Sequence, residues 1–139
     1  MNYAHTVSVT AGFSDAVAAT RAALQEQGFG ILTEIDVRAT FDEKLGAESG
    51  QALGDYLILG ACNPALAQRA LSAEPDMGLL LPCNVVVRRG SDAETTTVQA
   101  INPQTMVELS GSADIRGVAD EADTRLVAAL NAVSSGFNR

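Results

Sequence analysis

The chain has few of the residues that most enzymes and nucleic-acid binders depend on. Its 139 residues contain no tryptophan, one histidine (His5), one lysine (Lys44) and two cysteines (Cys62 and Cys83). A single histidine excludes most standard hydrolase arrangements, and no H-E-x-x-H element, C-x-x-C pair or glycine-rich phosphate loop is present. Basic side chains are scarce, nine against seventeen acidic ones for a net charge of −8, and the longest basic run is Arg88-Arg89. A nucleic-acid partner is therefore not expected, nor is an anionic membrane surface. No apolar run approaches the ~20 residues of a membrane span, and Met1–Val7 lacks the charged and apolar regions of a secretory leader. A cytoplasmic protein with reduced thiols is the expectation.

What the chain does have is aliphatic bulk. Hydrophobic residues make up 47% of it while aromatics make up 4%, so Val, Leu, Ile and Ala must fill the core. A chain of this length fits one domain, residues 1–139, which buries roughly two thirds of its unfolded surface.

Periodicity divides that domain into alternating elements. Tyr3 to Val9 alternates as a half-buried strand, with Tyr3, His5, Val7 and Val9 on one side. A helix capped by Ser14 follows, and Gly28 ends it. Phe29 to Ile35 reads as a strand with Ile31 and Ile35 on one face and Leu32 and Glu34 on the other. Asp36 caps a short helix carrying Val37, Phe41 and Leu45, and residues 47–54, polar and glycine-containing, read as an exposed connection. Tyr56 to Ala61 is apolar almost throughout, as a central strand would be. Asn63-Pro64 starts a helix with Asn as cap and Pro in the first turn, and Pro75 lies past its end. Met77 to Pro82 is a short apolar connection. Cys83 to Arg88 and Glu94 to Ile101 form a hairpin. Asn102-Pro103 starts a short helix through Leu109, and Ile115 to Val133 marks a long amphipathic one with a Glu121–Arg125 pair, followed by a frayed tail after Ser134. The order predicts an α+β two-layer sandwich: one mostly antiparallel sheet of about five strands with helices packed on one face.

The motif blocks point to a family. Gly28-Phe-Gly-Ile-Leu-Thr-Glu-Ile-Asp-Val37, Lys44-Leu-Gly46, Ile58-Leu-Gly-Ala-Cys-Asn-Pro64 and Gly78-Leu-Leu-Leu-Pro-Cys-Asn-Val-Val-Val87 resemble the domain-of-unknown-function 302 family over roughly Thr6 to Val133. The resemblance implies a compact α+β domain similar in layout to one TATA-binding-protein-like repeat, and a homodimer. It implies no reaction and no cofactor.

The two Cys-Asn pairs are the most distinctive chemistry. Cys62 precedes a helix start, where converging N–H groups favour a thiolate, but a strand end is also a common place for a small buried hydrophobe. Cys83 opens the next strand. The thiols come close if the two apolar strands are antiparallel neighbours, and lie apart if a parallel crossover joins them. Asn63 and Asn84 organise local backbone, and the N–H groups beyond Asn63 can take a small anion. Glu34 is a candidate general base or a partner for Lys44; a solvated strand position is the plainer reading. Two cysteines 21 positions apart with His5 as the lone imidazole do not make a convincing metal site, and none is predicted.

The expected site thus comprises Glu34, Lys44, Cys62, Asn63, Cys83 and Asn84, in a homodimer that binds a small molecule or anion. Two other classes stay open: a thiol-dependent enzyme or redox protein using Cys62 and Cys83, and a purely structural dimerisation module.

Overall fold

The computed structural model describes residues 2–138. Five strands form one sheet: β1 (Ala4–Val9), β2 (Gly30–Asp36), β3 (Asp55–Cys62), β4 (Cys83–Arg89) and β5 (Thr96–Ile101). Their spatial order is β1-β5-β4-β3-β2, and every neighbouring pair is antiparallel. Six α-helices accompany them: α1 (Phe13–Glu26), α2 (Val37–Leu45), α3 (Ala47–Leu53), α4 (Pro64–Ala73), α5 (Gln104–Ser110) and α6 (Arg116–Phe137). The architecture is the α+β two-layer arrangement expected.

Alternation along each strand sorts side chains into two faces, and residues paired across strands share a face. One set (Val9, Leu59, Val85, Val87 and Val98) is 0% exposed. It packs beneath α1 and α6, whose Ala16, Leu24, Leu126 and Leu130 are buried in turn. Small alanines on both helices let them approach a sheet built of branched aliphatics, so the near absence of aromatics leaves no thin core. The alternate set has no helix layer of this kind above it: Thr6, Ser8, Asn84 and Arg88 are exposed.

Local signals explain most boundaries. The α1 exit is a full Schellman turn: the Phe29 N–H donates to Leu24 O (3.0 Å), the Gly28 N–H donates to Gln25 O (3.0 Å), and Gly28 has φ +85°. Phe29, 4% exposed, packs into the same core as Leu24. The Asp36 carboxylate accepts from the Ala39 N–H at 2.9 Å and the Asn63 side chain from the Leu66 N–H at 3.1 Å, so both predicted caps are present.

Four expectations are corrected. The first helix starts at Phe13 after Gly12, with no side-chain cap, so Ser14 is its second residue and not its cap. Residues 47–54 are mostly helical, as α3: Gly50 is a packing position, where a Cβ would fall 1.7 Å from Asp42 Oδ1 and 3.1 Å from the Arg38 carbonyl oxygen. The last helix continues to Phe137, with Asn138 donating back to Ser134 O at 2.8 Å, so the chain beyond Ser134 is not frayed up to that point. Finally, the register of β2 against β3 shifts between Ile31 and Thr33. This bulge at Leu32 puts Ile31 (opposite Ala61) and Glu34 (opposite Leu59) on the helix side, and Thr33 and Ile35 on the open side. Ile31 and Ile35 therefore do not share a face.

Candidate functional site

β3 and β4 are neighbours, and Cys83 lies directly opposite Ala61, the residue before Cys62. The two Cys-Asn pairs consequently meet at one end of the sheet. Both thiols are free, Cys83 buried and Cys62 half-buried. Cys83 shares the helix-side face of Ala61, while Cys62 is the next residue along the pleat, at the rim of the same small cavity. Burial pushes the Cys83 thiol up to about 11, with a smaller contribution from the neighbouring Cys62 sulfur. Cys83 is therefore a neutral thiol at neutral pH and a poor nucleophile there.

The cavity beside the thiols has a volume of about 30 Å³, and its walls include Phe29, Leu66, Met106 and Val118. That is room for a water molecule rather than for an organic ligand. At its rim, Asn63 is committed to the α4 cap. Arg125 of α6 reaches the same corner: its Nη1 donates to Gln27 O at 2.9 Å, and both this nitrogen and Asn63 Nδ2 lie 3.0 Å from the position of a Cβ on Gly28. Sequence reading found Arg125 only as a partner of Glu121, which it is at 3.9 Å. Its reach to the end of α1 carries no sequence signal.

Glu34 and Lys44 do not join this corner. The bulge at Leu32 turns Glu34 toward α1, where its carboxylate meets Arg21 Nη2 at 2.6 Å, so the expected partnership with Lys44 is replaced. Lys44 lies on α2, 70% exposed, with Glu43 at 4.0 Å. His5 is on β1, two strands away from β4, and its Nε2 meets Asp123 Oδ1 of α6 at 2.5 Å. Among the described residues, no group of three His, Cys, Asp or Glu side chains is placed to hold a metal ion.

Asn84 sits elsewhere. Opposite Gly60, it lies on the open side of the sheet and lines a cleft of about 440 Å³ with Tyr3, Thr6, Tyr56, Val86, Gln99 and Ile101. Polar groups there are already ordered: Gln99 accepts from Arg88 Nε and donates to Thr6 Oγ1, both at 3.1 Å. None of the open-face strand residues is acidic, and Arg88 is the only charged one. Tyr56 and Gln99 were not singled out from sequence; the alternation of β3 and β5 was the available signal, but only strand order brings them together. Tyr3, which alternation groups with His5, Val7 and Val9, lies ahead of β1 and lines this cleft instead. Among the described residues, no helix is long and apolar enough to cross a membrane.

Comparison with known proteins agrees with this architecture. A crystal structure of an uncharacterised conserved DUF302 protein from Bacillus stearothermophilus superposes with a TM-score of 0.84 at 27% identity, covering 95% of this chain and 98% of that one. No curated protein matches. The family model described as domain of unknown function DUF302 matches residues 5–133, which include both Cys-Asn pairs. With that match over nearly its whole length, the chain belongs to the DUF302 family.

Proposed function

We propose that this domain is a cytoplasmic binding module: a homodimer that holds a small molecule on the open face of its sheet, beside the Cys-Asn strand start. The observation that carries the reading is the cleft of about 440 Å³ around Asn84, within the size range of small-molecule sites. Its floor is aliphatic (Val86, Ile101), its rim is aromatic (Tyr3, Tyr56), and amides stand at Asn84 and Gln99. That chemistry suits a mostly uncharged or weakly anionic molecule with an apolar body.

The same face suits a second copy. In a chain of net charge −8, a face without carboxylates is where two copies meet with least repulsion. Five strands of six to eight residues span roughly 24 by 20 Å, close to the lower limit of a stable interface once corrugation is included. Ile35 and Ile58 on the β2–β3 half supply apolar contact, leaving the cleft on the β1-β5-β4 half to be roofed.

Sedimentation velocity at micromolar concentration tests the dimer, with Ile58→Glu expected to give monomers; a wild-type monomer overturns it. Fluorescence of anilinonaphthalene sulfonate tests the cleft, with enhancement expected for the wild type and its loss in Val86→Asp. Equal enhancement in both proteins removes the cleft as a site.

The thiol-enzyme reading is less well supported. The neutral, buried Cys83 and the water-sized cavity leave little room for substrate at the sulfur pair.

A further inference from the structure

Away from the sheet, three leucines stand in solvent on the surface formed by α4, the 3-10 turn Pro75–Leu80 and α5: Leu79 is 88% exposed, Leu109 67% and Leu71 40%. Leu79 and Leu109 line one cleft of about 490 Å³, with Met77 at its base and Glu74 and Asp76 on its rim. Residues 71–80 and 104–115 carry Glu74, Asp76, Glu108 and Asp114 and no basic residue, while Arg69, earlier on α4, is paired with Glu121 of α6 at 3.6 Å. None of the four carboxylates pairs with a basic group among the described residues. Leucines exposed to this degree gain only when something covers them, and unpaired carboxylates around them select the charge of what does.

We propose that this cleft is a docking groove for a partner segment that is both apolar and basic, such as an amphipathic helix whose leucine-type anchors enter between Leu79 and Leu109 while Lys or Arg side chains meet Glu74 and Asp76. A second copy of this chain is the poorer occupant, because it brings a net charge of −8 against an acidic rim. An anionic membrane is disfavoured for the same reason.

Fluorescence anisotropy with a labelled synthetic helix of leucine and lysine, against a leucine–glutamate counterpart, tests the groove in the full chain. The wild type binds the basic helix and not the acidic one. Leu79→Ser with Leu109→Ser, both at exposed positions, weakens binding by about tenfold or more, the effect of losing one buried leucine contact. Glu74→Gln with Asp76→Asn weakens it several-fold and flattens its salt dependence. Unchanged affinity in the leucine variant overturns the proposal, since the peptide is then held by diffuse negative charge alone. A change in sedimentation coefficient of the peptide-free protein on Leu79→Ser also overturns it, in favour of self-association.

Discussion

The two sides of the sheet are made from the same strands and are covered differently. On the helix side, Leu59, Val85, Val87 and Val98 are sealed beneath α1 and α6, with the thiol of Cys83 buried among them. On the other side, one residue along each strand, Ile58, Asn84, Val86 and Gln99 face outward with aliphatic and amide groups interleaved. The difference shows how much a strand register decides: a one-residue step moves a side chain from the sealed core to the open face.

The strongest way to break this contrast is to truncate both sides equally. Leu59→Ala, at a fully buried position, is expected to cost about 2–5 kcal/mol in urea unfolding. Ile58→Ala, one residue away on the open side, should cost less than about 1 kcal/mol in the monomer. Equal losses at low protein concentration would mean that the open side is sealed within the chain; a loss for Ile58→Ala that grows with concentration would instead report a second copy covering it.

The next effect comes from the sealed side. An ordinary thiol value of 9.0 becomes about 11 at Cys83, so the folded state retains its proton where the unfolded state has lost it. The stability this contributes is intact below pH 9 and is lost as pH rises through 11, by up to about 3 kcal/mol. Urea midpoints taken across that window should fall more steeply for the wild type than for Cys83→Ala. In the native protein at lower pH, a disulfide reagent should modify Cys62 quickly and Cys83 only as the protein opens.

Gly60 sharpens the contrast by exception, because it belongs to the open side and is nevertheless buried. A Cβ there would lie 2.1 Å from Thr33 Oγ1 and 2.8 Å from Pro82 Cγ. Gly60→Ala should cost about 1–3 kcal/mol, partly restored by Thr33→Ala, in a double-mutant cycle read by thermal unfolding. The smallest effect is expected at Glu34, where Glu34→Gln removes a half-exposed pair with Arg21 worth less than about 1 kcal/mol and reduced further by salt. A larger loss would give Glu34 a role beyond that pair.

Much of the fold was legible because it depends on local rules. Alternation gave four of the strands and a continuous apolar run gave β3, Gly28 marked the end of α1, and Asp36 and Asn63 announced the starts of α2 and α4. The failures arose where a partner sets the local structure. Gly50 reads as a loop signal in isolation, yet it is glycine because α2 passes too close for a side chain. The bulge at Leu32 exists only in the pairing of β2 with β3, so a strict period of two assigned Ile35 and Glu34 to the wrong sides. Of the site, the meeting of the Cys-Asn pairs followed once β3 and β4 proved antiparallel neighbours. The cleft around Asn84 did not, since β1, β3, β4 and β5 all contribute to it and their order is not written in any one segment.

The displaced register at Leu32 also bears on how readily further strands could add to this sheet. A sheet with two bare margins invites further strands to add on, and each margin here is interrupted differently. On β2 the ladder breaks between Ile31 and Thr33, so an incoming straight strand cannot keep step along its length. On β1, Asn138 from the end of α6 donates to Ser8 O at 2.7 Å and occupies an acceptor that a strand would need. Adding strand to strand along such margins would otherwise have no natural end.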